Sequence, residues 1–310
     1  MGSHYTAAMK VTALTGGVGG AKLLVGLQRA TIDLTAIVNT ADDAVIYDVH
    51  VSPDVDIVTY WLAGLADTER GWGIQGDTFE VVDALARLGV ESWFRLGDRD
   101  LATCMFRTAR LKVGNTLSAT TDAIRRSLGV STTILPMTDD PVSTRLVTTD
   151  RRVLEFQQYF VAERQEPEIV EVRFAGIADA KPAPGVVEAL ETADRVVLCP
   201  SNPIVSIGPI LALPEVRDVL REHPSVTAVS PIVRGAPLKG PADKLLRAAG
   251  AEVSASGVAA LYKDFVDLFV VDETDAEEID RVEALGIRSA GLDTVMVDHD
   301  ASERLARALL

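Results

Sequence analysis

The chain has 310 residues, 47% hydrophobic and 24% charged, enough apolar material for one large core or a core carrying a sizeable insertion. Its 30 basic and 45 acidic residues give a net charge of −15. Such a surface repels nucleic acid and anionic membranes, whose binding relies on Lys and Arg neutralising phosphates.

No apolar run approaches the roughly 18 residues of a membrane span, and no secretory leader is visible. Residues 1–8 lack periodicity and read as a leader foreign to the fold, with Met9 as the natural start. Cys104 and Cys199 are widely separated, which fits two reduced thiols in a cytoplasmic protein.

The first strand is expected at residues 10–14. It runs into Gly16-Gly17-Val18-Gly19-Gly20-Ala21-Lys22, which opens an apolar helix. Glycines allow close backbone approach, and a helix N-terminus offers free N–H groups with a favourable dipole, so this turn is a phosphate-site candidate. A Walker loop would need Ser or Thr after its Gly-Lys pair, but Lys22 lies between Ala21 and Leu23. The dinucleotide fingerprint wants a small residue where Lys22 stands. Lys22 can instead meet a phosphate as a point charge.

A second strand at 34–38 ends in Asn39-Thr40-Ala41-Asp42-Asp43, followed shortly by Pro53-Asp54-Val55-Asp56. Ligands of open α/β sheets bind at strand carboxyl ends, and carboxylates beside a diphosphate suit Mg²⁺. One acid in this position would also serve a nicotinamide dinucleotide, so an oxidoreductase competes with the phosphate reading. Residues 49–129 then break the strand–helix alternation. Asp77 is placed to cap a helix through Val81, Val82, Leu85 and Leu88 that stops at Gly89, and 121–128 repeats the pattern before Gly129. Runs at 143–149, 152–160 and 169–174 suggest a β excursion over 143–175.

Alternation resumes with strands at 195–199, 226–229, 267–271 and 294–297, and helices at 186–192, 243–249 and 301–310. The 195–199 strand feeds Pro200-Ser201-Asn202-Pro203. The 226–229 strand feeds Ser230-Pro231 and then a loop with Arg234 and Lys239. The whole predicts an α/β fold: a Rossmann-like parallel sheet with helices on both faces, built from 9–48 and 130–310, and a mainly helical insertion at 49–129. Gly71-Trp72-Gly73 and Gly97-Asp98-Arg99-Asp100-Leu101 lie in that insertion, where Trp72 can offer a face to a flat ring. His50 lies near a motif but has no partner at metal-ligand spacing.

Taken in order, these motifs resemble the 2-phospho-L-lactate transferase family of coenzyme F420 biosynthesis, from about Met9 to the C-terminus. The resemblance implies a guanosine-diphosphate-linked donor, transfer of a phospholactyl, phosphoenolpyruvyl or phosphoglyceryl group to the ribityl hydroxyl of the deazaflavin FO, and release of GMP. It implies Asp42 and Asp43 as catalytic acids, with Asp42, Asp54 and Asp56 holding Mg²⁺. Gly16, Gly17, Val18, Gly19, Gly20, Lys22, Asn39, Ser201, Asn202, Ser230, Pro231 and Lys239 would bind the donor. Trp72, Asp98, Arg99 and Asp100 would bind FO in the insertion, and the family suggests a homodimer. A related gluconeogenesis-factor-like branch of nucleotide-binding regulators shares the glycine turn and the Ala-Asp-Asp element. Ala44-Val45-Ile46-Tyr47-Asp48 after those acids favours the transferase branch.

Overall fold

The computed structural model describes residues 9–31 and 33–310; the leader at 1–8 lies outside them. Strands β1 (Lys10–Thr15) and β2 (Asp33–Val38) pair in parallel, joined by helix α1 (Gly17–Ala30). The central sheet has seven strands, all parallel. Its order is Arg288–Leu292, Leu268–Asp272, Val226–Val229, Arg195–Leu198, β1, β2 and Thr133–Pro136. Strand order therefore reverses between β1 and Arg195–Leu198, the topological switch point at which open α/β sheets bind ligands.

Side-chain alternation assigns each strand to two cores. Leu14, Ile37, Leu198 and Phe269 bury into one face, and Ala13, Val38, Val197 and Val270 into the other. Both faces are covered by helices, which is why these strands read as continuous apolar runs. On the second face α1 packs against His299–Leu309, where a methyl built on Gly26 would stand 2.1 Å from the Ser302 carbonyl oxygen. Helix α2 (Pro53–Leu62) covers the other flank of α1.

Two strand expectations need correction. Residues 294–297 form a loop, not a strand; the edge strand is Arg288–Leu292. Thr294 is held instead by the Asp272 carboxylate, through N at 3.1 Å and Oγ1 at 2.8 Å, and Val297 is exposed. At the opposite edge Thr133–Pro136 is a strand that the sequence hid, because a terminal proline is tolerated only where one side needs no ladder bond.

Between β2 and that strand the chain forms a hairpin, Ala44–Ile46 with Val49–Val51, then α2 and the helices Glu80–Arg87, Asp98–Lys112 and Leu117–Ser127. A small core of Ile46, Val51, Val82, Leu96, Leu101 and Cys104 ties the hairpin to two of these helices. The β excursion is a three-stranded antiparallel sheet, Val153–Glu155, Ser143–Thr148 and Ile169–Ala175. The strand expected over 152–160 stops at Glu155 and gives way to a helical turn, Gln158–Ala162.

Asp77 does not cap the helix that follows it. Its carboxylate accepts the Arg99 and Asp100 amides, both at the start of Asp98–Lys112. Asp98 in turn accepts the Glu80 and Val81 amides at the start of Glu80–Arg87. Each acid thus satisfies the orphan donors of the other's helix, an exchange that short-range sequence logic cannot anticipate.

Candidate active site at the switch point

Thr15 ends β1 and Gly16 leaves it extended. Gly17 then turns at φ 66°, a left-handed conformation that favours glycine. A methyl on Gly19 would lie 2.6 Å from the Pro200 carbonyl oxygen, and one on Gly20 would lie 2.6 Å from Ser201 Oγ. The glycines therefore let the loop after Arg195–Leu198 close onto the first turn of α1. That contact is sealed where Gly16 N–H donates to Ser201 Oγ at 3.1 Å.

Gly17 N–H donates to Asp54 Oδ1 at 2.8 Å, so a carboxylate from the start of α2 sits at the electropositive end of α1. Asp54 Oδ2 accepts from Asn39 Nδ2 at 2.9 Å, and the same amide reaches Asp42 Oδ2 at 3.2 Å. Asn39 Oδ1 in turn accepts the Ala41 N–H at 3.0 Å, which fixes the orientation of the amide. One asparagine thus joins two carboxylates beside the glycine turn. Gly17, Asn39, Asp42 and Asp54 form one hydrogen-bonded cluster at the carboxyl ends of β1 and β2, with Ser201 bonded to the adjoining Gly16.

Ionising both carboxylates there is electrostatically costly. Burial and the neighbouring Asp54 charge push the Asp42 carboxyl well above its ordinary range. Burial pushes Asp54 up to about 6. Asp42 Oδ1 is buried and makes no hydrogen bond of full geometry, although the Thr144 hydroxyl lies close enough to offset part of the carboxyl's upward shift. Two close carboxylates of raised pKa and one weakly bonded oxygen fit a hard divalent cation with oxygen ligands, such as Mg²⁺.

Asp56 lies elsewhere. It sits two residues beyond Asp54 on α2, turned inward, and pairs with the fully buried Arg107 of Asp98–Lys112. Asp56, Asp100 and Cys104 come together there, but the Arg107 guanidinium supplies the positive charge that a metal would otherwise bring. Burial and the Asp56 charge push Asp100 up to about 7, and it accepts from Tyr60 Oη at 2.8 Å.

Asp43, next to Asp42, takes no part in the Asn39 bridge, though its charge acts on both bridged acids. It accepts Ser52 Oγ at 2.7 Å and lies 2.8 Å from His50 Nε2. Burial raises its pKa, and the His50 and Ser52 contacts oppose that shift. His50, which the sequence placed near a motif without a partner at metal-ligand spacing, finds its partner here in Asp43. Tyr47 and Asp48 both adopt positive φ at the hairpin tip, and the resulting register folds His50 back toward Asp43. Neither residue is the Gly or Asn that usually signals such a turn.

The remaining candidates divide by task. Asn202 Oδ1 accepts the Ile204 and Val205 amides, and buried Ser230 Oγ bonds both the amide and the carbonyl of Ile232, so both shape their loops. Pro231 follows in the second loop, half-buried. Lys22 Nζ donates to the Met296 carbonyl at 2.8 Å and lies 5.9 Å from the Trp61 ring centroid. Burial and nearby Lys239 lower its pKa. Trp72 is exposed, with the Arg70 guanidinium 5.0 Å from its ring and Phe79 edge-on at 6.0 Å. Arg99 donates to the Gln75 carbonyl in the same loop, whereas Asp98 and Asp100 hold helices together.

A family model described as 2-phospho-L-lactate transferase CofD matches residues 11–309. The chain belongs to this family. It is 42% identical to the 2-phospho-L-lactate transferase of Methanosarcina acetivorans over 94% of this chain and 95% of that one. It is 44% identical to the phosphoenolpyruvate transferase of Streptomyces griseus, covering 97% and 98% of the two chains. A solved UPF0052-family structure from Bacillus halodurans matches with a TM-score of 0.66 at 18% identity, covering 97% of this chain and 98% of that one, which shows a shared fold. Membership makes the chain a transferase of coenzyme F420 biosynthesis.

Proposed function

We propose that the chain moves a small phosphorylated acid, phospholactyl, phosphoenolpyruvyl or phosphoglyceryl, from a guanosine-diphosphate-linked donor to the ribityl hydroxyl of the deazaflavin FO, releasing GMP. The observation that carries this reading is the Asp42–Asn39–Asp54 bridge set against the Gly17 amide. It pairs an anion-binding helix end with two acids suited to Mg²⁺ at the one crevice where the sheet reverses. Bound Mg²⁺ would neutralise diphosphate charge and stabilise the charge that develops on the transferred phosphoryl group.

The protein's own residues position the reactants. First-turn amides of α1, which lack intrahelical acceptors, and the Ser201–Asn202 loop orient the donor diphosphate. Lys22 and Lys239 supply positive charge at the edge of the crevice. Exposed Trp72 and Arg99, both at the 70–76 loop, receive the flat acceptor ring. In this reading the enzyme works as a cytoplasmic homodimer, which light scattering in solution tests.

The deciding experiment is mass spectrometry after incubation with FO, Mg²⁺ and each candidate guanylated acid in turn. The expected result is an FO phosphodiester from one donor, with stoichiometric GMP. Nucleotide binding without FO binding or product would replace the reading with that of a non-catalytic regulator.

A further inference from the structure

A cavity of about 790 Å³ opens beside Asp43, walled in part by Thr40, His50, Asn115, Asp139 and Arg145. The His50 side chain is 28% exposed toward it, with the 10%-exposed Asp43 carboxylate behind. That carboxylate already accepts from Ser52 Oγ, at 2.7 and 2.8 Å to its two oxygens, and it stands 2.8 Å from His50 Nε2. A carboxylate acceptor fixes the imidazole proton on Nε2 and leaves the lone pair on Nδ1. Among the described residues Nδ1 has no hydrogen-bond partner and is not buried, and His50 lines the cavity.

The ring is also fixed through its backbone. His50 N–H donates to Thr108 Oγ1 at 2.7 Å, and Arg107 Nη1 donates to the His50 carbonyl at 3.1 Å. The charged groups around it come from every packed element. Asp43 follows β2, Arg107 lies on Asp98–Lys112 and is committed to Asp56, and Asp139 and Asp140 follow Thr133–Pro136. Arg145 and Glu155, paired at 2.6 Å, come from the antiparallel sheet. The wall is therefore acidic on balance. It disfavours a diphosphate and accepts a neutral polyhydroxyl chain.

We propose that His50 is the catalytic base of the transfer and that this cavity seats the hydroxyl-bearing chain of the acceptor, an inference that rests on the transferase reading above. Arg99, at the 70–76 loop, and Arg107, beneath His50, are eight residues apart on one helix, about 12 Å at 1.5 Å per residue. An elongated acceptor can span that distance with its ring at Trp72 and its hydroxyl at His50. In the step, the acceptor O–H bond breaks and its proton passes to His50 Nδ1. The oxygen forms a bond to the phosphorus bearing the small acid, and the bond from that phosphorus to GMP breaks with its electron pair leaving on GMP. The imidazolium then releases its proton to water in the cavity.

The test uses the full chain with FO, Mg²⁺ and the productive guanylated donor. His50→Gln keeps a donor for Asp43 at the Nε2 position and removes the base. Turnover is expected to fall by about 100-fold or more, with donor and acceptor KM little changed and the acid limb of the pH–rate profile abolished. In His50→Ala, added imidazole is expected to restore part of the rate, which a purely structural role would not produce. If His50→Gln turns over within threefold of wild type with the same acid limb, or if imidazole rescues nothing in a folded His50→Ala variant, the proposal is overturned while the transferase reading stands. If wild type itself forms no phosphodiester, the transferase reading fails and takes this proposal with it.

Discussion

Arg107→Met tests how the insertion holds the site in place. Arg107 is fully buried and pairs with Asp56, whose side chain is 6% exposed, while Asp100 and Cys104 lie alongside. Breaking a buried pair from one side strands the other charge and costs about 3–5 kcal/mol. Unfolding entropy of about 2.1 cal/mol/K per residue amounts to about 0.65 kcal/mol/K for this chain, so Tm should fall by roughly 5–8 °C. Scanning calorimetry of Arg107→Met, Asp56→Asn and the double variant checks this. The double variant is expected to recover about 1–3 kcal/mol relative to additivity, because it no longer buries an unpaired carboxylate. Strict additivity, or an Arg107→Met melt within about 2 °C of wild type, would show that the pair does not anchor α2 and would refute the reasoning.

Asp42→Asn is expected to cut turnover at least about 100-fold while leaving the melt intact, as removal of one electrostatic contributor to a transition state commonly does; near-native turnover refutes the role. Asp54 carries a pH signature, since its folded pKa of about 6 exceeds the ordinary 3.8. The stability it contributes is complete below the ordinary value and is lost as pH rises through about 6, so the metal-free protein should melt lower at neutral pH than at about pH 5, and Asp54→Asn should flatten that slope. Mg²⁺ affinity, read by calorimetry, should rise over the same window, because ligands bind metal only when deprotonated. Gly19→Ala drives a methyl to 2.6 Å from the Pro200 carbonyl oxygen; weaker GDP binding by titration is the expected result, and unchanged affinity counts against the turn as a phosphate site. Both cysteines are buried, and burial pushes Cys199 up to about 12, so neither should react with a thiol reagent until the protein unfolds.

Much of this protein is written in its local chemistry. Apolar runs bounded by turn residues locate five of the seven sheet strands, and the glycine run locates the turn into α1, because each depends on side chains a few residues apart. The crevice at the ends of β1, β2 and Arg195–Leu198 follows from the same alternation, since parallel strands place their outgoing loops on one edge. What distinguishes one acid from another was decided only by tertiary contact. Asp54 and Asp56 are alike in sequence, yet a helix turns the first toward Gly17 and Asn39 and the second toward Arg107, 51 residues away. Asp77 and Asp98 exchange caps across 21 positions, and His50 meets Asp43 only through a hairpin whose tip lacks its usual glycine or asparagine. Periodicity fixes which face of an element is apolar, but the partner of a polar group is set by whichever segment the folded chain brings within about 3 Å, and that choice has no short-range signature.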